Sequence, residues 1–253
     1  MTLIERDAEV AALDAAITAA EAGSGRLLII GGPAGIGKSG LLAGLRDRAG
    51  DRLLVLAARA SELEREFGFG VVRQLFEAQT VDPARGAAAL AGAAAPAASV
   101  FGAPGDDAGV ASFAALHGLF WLASNLAAER PLLLAVDDLH CCDRPSLRFL
   151  AYLARRLDGA PILLAASVRS GEPGTDPTLL AELVHDPAAL IVEPGPLSSG
   201  GATALVRERL GDAAEPAFSA ACHAATGGNP LLLRQLLRAL EAERVEPVAA
   251  NVG

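Results

Sequence analysis

The chain has 253 residues, 52% hydrophobic and 4% aromatic, so one globular domain, alone or with a small companion, must be built on Leu, Val, Ile and Ala. Its formal net charge is -9 at pH 7, and the clustered basic surface that phosphate-backbone binding needs is not evident in the sequence. Lys38 is the single lysine, so all other basic side chains at neutral pH are arginine.

Apolar spacing at Val10, Leu13 and Ile17 predicts a first helix over residues 9–22, ended by Gly23-Ser24-Gly25. Residues 26–30 (RLLII) form a short continuous apolar run, as expected of a strand buried on both faces. A glycine-rich loop follows, then a helix over 38–49. Residues 53–57 predict a second strand, followed by a charged loop and a helix over 71–79. Residues 83–109, rich in Ala, Gly and Pro, are expected to form a mobile surface segment with one short helix. A strongly amphipathic helix is predicted over 113–128, with the stripe Phe113, Leu116 and Phe120 in the core. The run 132–136 is the next strand and ends in Asp137-Asp138. A helix over 145–157 starts with Asp143 as its N-cap and Pro145 in its first turn. Strand 162–168, a helix near 178–184 and a strand near 189–192 close the series.

Five apolar runs alternating with helices imply a parallel sheet covered on both faces, an α/β fold. After Pro194-Gly195-Pro196 the pattern turns purely helical, with predicted helices at 199–210, 213–225 and 230–243. The expected organisation is a sheet domain over residues 1–195 and a helical subdomain over 196–253. The tail 245–253 reads as frayed, as in a piece cut from a longer protein.

Cys141, Cys142 and Cys222 supply neither a disulfide framework nor a zinc set, and are read as free thiols of a reducing cytosol. The start lacks the basic segment and apolar run of a signal peptide. No apolar run approaches the roughly 20 residues that cross a bilayer. A cytoplasmic chain with no membrane partner is expected.

Gly32-Pro33-Ala34-Gly35-Ile36-Gly37-Lys38-Ser39 matches G-x-x-x-x-G-K-[ST] without a mismatch, between a buried strand and a helix. Its glycines let backbone N–H groups converge on phosphates, and the helix beginning near Lys38 adds its positive dipole end. Lys38 can reach the β- and γ-phosphates, and Ser39 can offer its hydroxyl to magnesium. The candidate contacts to ATP or ADP run from Gly32 to Gly40. The alternative is a glycine-rich turn with a chance lysine. A neighbouring strand that ends in Asp137-Asp138 would deliver two carboxylates to the same crevice. Asp137 can hold magnesium, and Asp138 can orient or deprotonate the attacking water. Taken alone, the pair also suits a solvated turn.

These motifs make the chain resemble the STAND branch of the AAA-like ATPases. More closely, it is similar to the ATPase domain of large LuxR-type transcriptional regulators from high-GC bacteria. Residues 3–9 (LIERDAE), 59–76, Asp137-Asp138-Leu139-His140 and Gly227-Gly228-Asn229-Pro230 carry the likeness. The family often has Gly where this chain has Glu5, and Trp-Ala where it has Cys141-Cys142. The resemblance implies a P-loop fold with strand order 5-1-4-3-2 and a C-terminal helical lid. It implies an adenine contact near Arg6, and a γ-phosphate sensor at Arg169. Pro230 can rest against the adenine, or serve only as a first-turn proline. Such regulators continue into a helical-repeat region and a C-terminal helix-turn-helix, so this segment is not expected to bind DNA.

Arg155 and Arg156 suit the negative end of their helix, or an arginine finger in ATP-dependent self-association. His140 is expected as a hydrogen-bonded structural histidine, or as a link from the acidic strand end to the next helix. His117, His185 and His223 have no evident partner. The function expected is ATP binding with slow, magnesium-dependent hydrolysis, used as a conformational switch. A nucleotide-binding scaffold without turnover is the alternative. A P-loop kinase is disfavoured, because no acceptor-binding element separates the motifs.

Overall fold

The computed structural model describes residues 3–102, 112–211 and 215–243, together with Val248 and Val252. Five parallel strands form one sheet: β1 (Arg26–Gly32), β2 (Leu54–Arg59), β3 (Leu132–Asp137), β4 (Ile162–Arg169) and β5 (Leu190–Val192), in the order β2-β3-β4-β1-β5. This is the order 5-1-4-3-2 read from the other edge. The acidic strand β3 therefore lies one place away from β1, with β4 between them. Register places Gly32 beside Arg169 and Arg59 beside Asp137, so the ends of four strands open on one edge.

Strand side chains alternate between two cores. Leu28 and Ile30 face α1 (Asp7–Glu21) and α2 (Lys38–Ala49), packing on Leu13, Ile17, Leu41 and Leu45. Leu27 and Ile29 face the larger core of α3 (Gly70–Thr80), α6 (Phe113–Glu129), α7 (Arg144–Ala154) and α8 (Pro177–Val184). Continuous apolar runs were required because both faces are covered. Asp143 caps α7 as expected, accepting from Ser146 N, and the same carboxylate also accepts from Phe69 N and Val71 N. One buried side chain thus ties α7 to the start of α3.

The Ala-rich stretch differs from expectation. It forms α4 (Pro83–Ala89), a 3-10 turn (Gly92–Ala97) and α5 (Ala98–Phe101), with Ala89, Ala94, Ala97 and Val100 buried. Methyl-sized side chains let these backbones approach α6 closely, so a core exists without large apolar residues. At Gly118 of α6, a Cβ would lie 2.5 Å from Ala97 N. Gly118→Ala should therefore cost about 1–3 kcal/mol by overpacking, read as a melting temperature several degrees lower by calorimetry. The remainder of that predicted segment, 103–111, lies outside the described residues.

Phe113 was expected in the core and is 71% exposed. It stands at the first position of α6, where its ring stacks on His117 and meets Tyr152 edge-on. Leu116 is buried and Phe120 half-buried. His117 does have partners: its Nδ1 lies 3.2 Å from Tyr152 Oη, and its Nε2 accepts from Trp121 Nε1.

Beyond the sheet, α9 (Ser199–Leu210), α10 (Pro216–Thr226) and α11 (Pro230–Ala242) enclose a third core around Leu205, Phe218, Leu233 and Leu237. His223 Nε2 pairs with Leu197 O at 3.0 Å. Of the tail 245–253, only Val248 and Val252 are described. Among the described residues, no helix is long and apolar enough to cross a membrane.

Candidate nucleotide-binding site

A cleft of about 470 Å³ opens where the strand ends meet α9 and α11. Its floor is the loop between β1 and α2. Gly37 caps α2 with φ +108, a left-handed conformation that glycine adopts without strain. Ala34, Gly35, Ile36, Gly37, Lys38, Ser39 and Gly40 all line the cleft. Gly32 and Pro33 contribute differently, because their carbonyls accept from Lys38 Nζ, each at 2.8 Å. Lys38 is buried, and that burial lowers its pKa, with the Arg169 guanidinium acting in the same direction. The carboxylates of Asp138 and Asp137 oppose the shift.

The acidic strand end reaches the loop directly. Asp137 Oδ1 accepts from Ser39 Oγ at 3.0 Å and from Ser167 Oγ at 2.5 Å. Ser167, fully buried on β4, also accepts from Asp138 N at 2.9 Å. That hydroxyl therefore fixes both aspartates from the intervening strand. Asp138 lines the cleft in a left-handed turn, φ +56, which Asp tolerates better than most residues. Arg59, at the end of β2, pairs with Asp138 at 3.4 Å and approaches Asp137 at 4.0 Å. Sequence reasoning missed both Ser167 and Arg59. Ser167 is the one polar residue in the run 162–168, which was the available signal.

Arg169 lines the cleft from the end of β4, and its Nη1 pairs with Glu172 at 3.3 Å. Arg6 is buried and bridges segments: it donates to Gly195 O at 2.6 Å and to Ile36 O at 3.4 Å. Glu5 adopts φ +54, the region that favours the glycine common at this place in the resembling family. Here its carboxylate accepts from Ser198 N and Ser198 Oγ at the start of α9. Those hydrogen bonds hold its carboxyl below the usual range. A carboxyl lowered by folding stabilises fully above the unfolded value, and that stabilisation is lost as pH falls through the lowered value. Glu5→Gln should therefore lower the melting temperature modestly at pH 7 and flatten the acid limb of a thermal-unfolding series, converging on the parent as pH falls through the lowered value.

Pro230, at the start of α11, lines the cleft beside Leu3, Ile4, Leu197, Leu205 and Leu231, an apolar wall. Arg234 of α11 joins them, another residue that sequence reasoning missed. Arg155 and Arg156 lie away from the cleft: Arg155 pairs with Glu182, and Arg156 stacks 3.6 Å above the Tyr152 ring. His140 is buried, which lowers its pKa, but the side-chain hydrogen bond expected of it is not seen at Nδ1, which has no partner among the described residues. The three cysteines are free and buried.

Magnesium fits this donor set. Phosphate oxygens and water ordinarily complete its octahedron, so one hydroxyl and one carboxylate already in contact, Ser39 and Asp137, suffice from the protein.

Residues 2–165 match the family of AAA ATPase domains. No curated protein sequence matched the chain. Among solved structures, the chain is similar to the ORC1 protein of Aeropyrum pernix in complex with DNA, with TM-score 0.55 and 17% identity, covering 97% of this chain and 62% of that one. It is similar to Cdc6p from Pyrobaculum aerophilum, with TM-score 0.61 and 13% identity over 96% of this chain and 64% of that one. It is also similar to a signal transduction ATPase with numerous domains (STAND) from Pyrococcus horikoshii, which carries a tetratricopeptide repeat sensor. There the TM-score is 0.52 and the identity 18%, over 88% of this chain and 29% of that one. The chain spans less than two thirds of each of these proteins. At such identities the likeness concerns the fold alone: a parallel sheet flanked by helices. With more than half of its length inside the family match, the chain belongs to the AAA ATPase domain family.

Proposed function

We propose that this chain binds ATP with magnesium, hydrolyses it slowly, and serves as a conformational switch in a LuxR-type transcriptional regulator. The observation that carries the reading is the meeting of three elements around one cleft: Lys38 and Ser39 of the loop, Asp137-Asp138 of β3, and the lid wall at Pro230. In this reading the chain divides into a nucleotide-binding domain, 1–195, and a lid, 196–253. ATP lies with its phosphates on residues 32–40 and its adenine between Arg6 and Pro230. Bound magnesium supplies charge neutralisation at the phosphates, held by Ser39 and Asp137. Lys38 leaves the carbonyls of Gly32 and Pro33 to meet the β- and γ-phosphates. Asp138 orients the attacking water and accepts its proton. Arg169 leaves Glu172 to contact the γ-phosphate, and loses that contact on hydrolysis.

A helical-repeat region and a helix-turn-helix elsewhere in the full regulator would carry effector and DNA recognition. This acidic segment itself binds no DNA. The site is proposed to work in the cytoplasm and to support self-association in the ATP state.

The second reading is a nucleotide-binding module without turnover. The Arg59–Asp138 pair favours it, because the guanidinium occupies a carboxylate oxygen that the attacking water would need. Phosphate release by the purified chain, set beside its nucleotide content, separates the two readings. Arg59→Ala bears on the same question. Its side chain is largely exposed, so freeing Asp138 should raise turnover by only about 2- to 5-fold. An unchanged or lower rate in single-turnover assays would give Arg59 a different role.

A further inference from the structure

The lid and the phosphate loop touch each other directly. Asn229 is the N-cap of α11, where its Oδ1 accepts from Leu231 N at 3.0 Å and Leu232 N at 3.3 Å. The other atom of the same amide donates to the phosphate loop: Nδ2 bonds Ala34 O at 2.9 Å. Beside it, Leu231 N also donates to Gly35 O at 3.1 Å. The approach depends on Gly35, where a Cβ would lie 2.7 Å from Asn229 Oδ1 and 2.8 Å from Leu231 Cβ. Gly35 also has φ +77, so its conformation and its clearance make the same demand. Two successive loop carbonyls are thus held by the first turn of the lid helix.

We propose that Asn229 is a positioning residue that couples the lid to the backbone of the phosphate loop. The lid then responds to the shape of the loop as well as to a ligand in the cleft. A primary amide is the one side-chain group that supplies an acceptor for the cap and a donor for Ala34 at this length. When the loop takes up phosphate and its carbonyls turn, α11 turns with them. Conversely, a closed lid keeps the loop formed before ligand arrives, which lowers the ordering cost of binding. The effect on ligand affinity rests on the nucleotide reading above, whereas the contact itself does not.

The two duties of Asn229 predict different orders among variants. A residue that only caps ranks Asn and Asp together, with Ala worse. A residue that couples ranks Asn alone on top, because Asp keeps the cap and turns a carboxylate toward Ala34 O. Asn229→Asp should melt within about 3 °C of the parent. In the nucleotide-free protein it should exchange amide hydrogens about tenfold faster at residues 34–40 and 230–236, as expected for losing one or two hydrogen bonds. With ATP and magnesium, its affinity by calorimetry should fall by a similar factor. Parent-like exchange in Asn229→Asp, with loss only in Asn229→Ala, overturns the coupling and leaves a cap. If the parent binds no ATP while Asn229→Asp still opens the lid, the nucleotide reading fails and the coupling stands. If the parent binds ATP and Asn229→Asp matches it in exchange and affinity, the coupling fails alone.

Discussion

Lys38→Ala should lower the affinity for ATP with magnesium by about 2–4 kcal/mol, the loss expected for a charge-assisted contact in a shielded site. Lys38 is the only lysine, so no second ammonium can substitute. The substitution removes one donor from each of the carbonyls of Gly32 and Pro33, but Gly32 O still accepts from Ser170 N at 3.2 Å and Pro33 is exposed to water. The mutant should therefore stay folded, with a parent-like circular dichroism spectrum. Calorimetry on that folded mutant is the check, and unchanged affinity would falsify the assignment of the phosphate loop.

Asp138→Asn should slow phosphate release by about 10²-fold or more while sparing ATP affinity, as expected for loss of a general base. Asp137→Asn should do the reverse and weaken the magnesium-dependent part of binding. The two residues are adjacent in sequence, yet their surroundings separate them. Asp137 faces Ser39 and Ser167, whereas Asp138 has turned into the cleft beside Arg59. Comparing single-turnover rates with affinities in the presence and absence of magnesium distinguishes the two effects. A parent-like rate in Asp138→Asn removes it as the base. If the parent itself releases no phosphate, the non-hydrolysing module becomes the better reading.

The sheet was legible because burial on both faces leaves no other composition for its strands: RLLII and LLLAV permit no alternation. The glycine-rich loop was legible because its spacing is set by backbone geometry rather than by distant partners. The Ala-rich stretch was misread for a physical reason. Periodicity is detected through large apolar side chains, and at Ala94 and Ala97 the burial comes from close backbone approach instead. Arg59 and Ser167 stayed hidden for another reason. Each acts across a neighbouring strand, and a single polar residue in an apolar run carries no period. Phe113 shows the converse error, since a residue can fit an apolar stripe and still stand exposed at the first position of its helix.

The first residues of the chain belong mechanically to the far end of the fold. Leu3 rests on the sheet's smaller core, Ile4 on the lid core, Glu5 on the start of α9, and Arg6 on Gly195 within the connecting segment. Covalently, sheet and lid are joined once, through residues 194–196. Spatially, they are joined further, because besides the contact of Asn229 with Ala34 the N-terminal strap fastens the same joint from outside. A joint with two straps behaves less like a swivel than like a door hung on two hinges, with the axis of rotation fixed. In the proposed switch the lid would therefore move about a restrained joint rather than swivel freely.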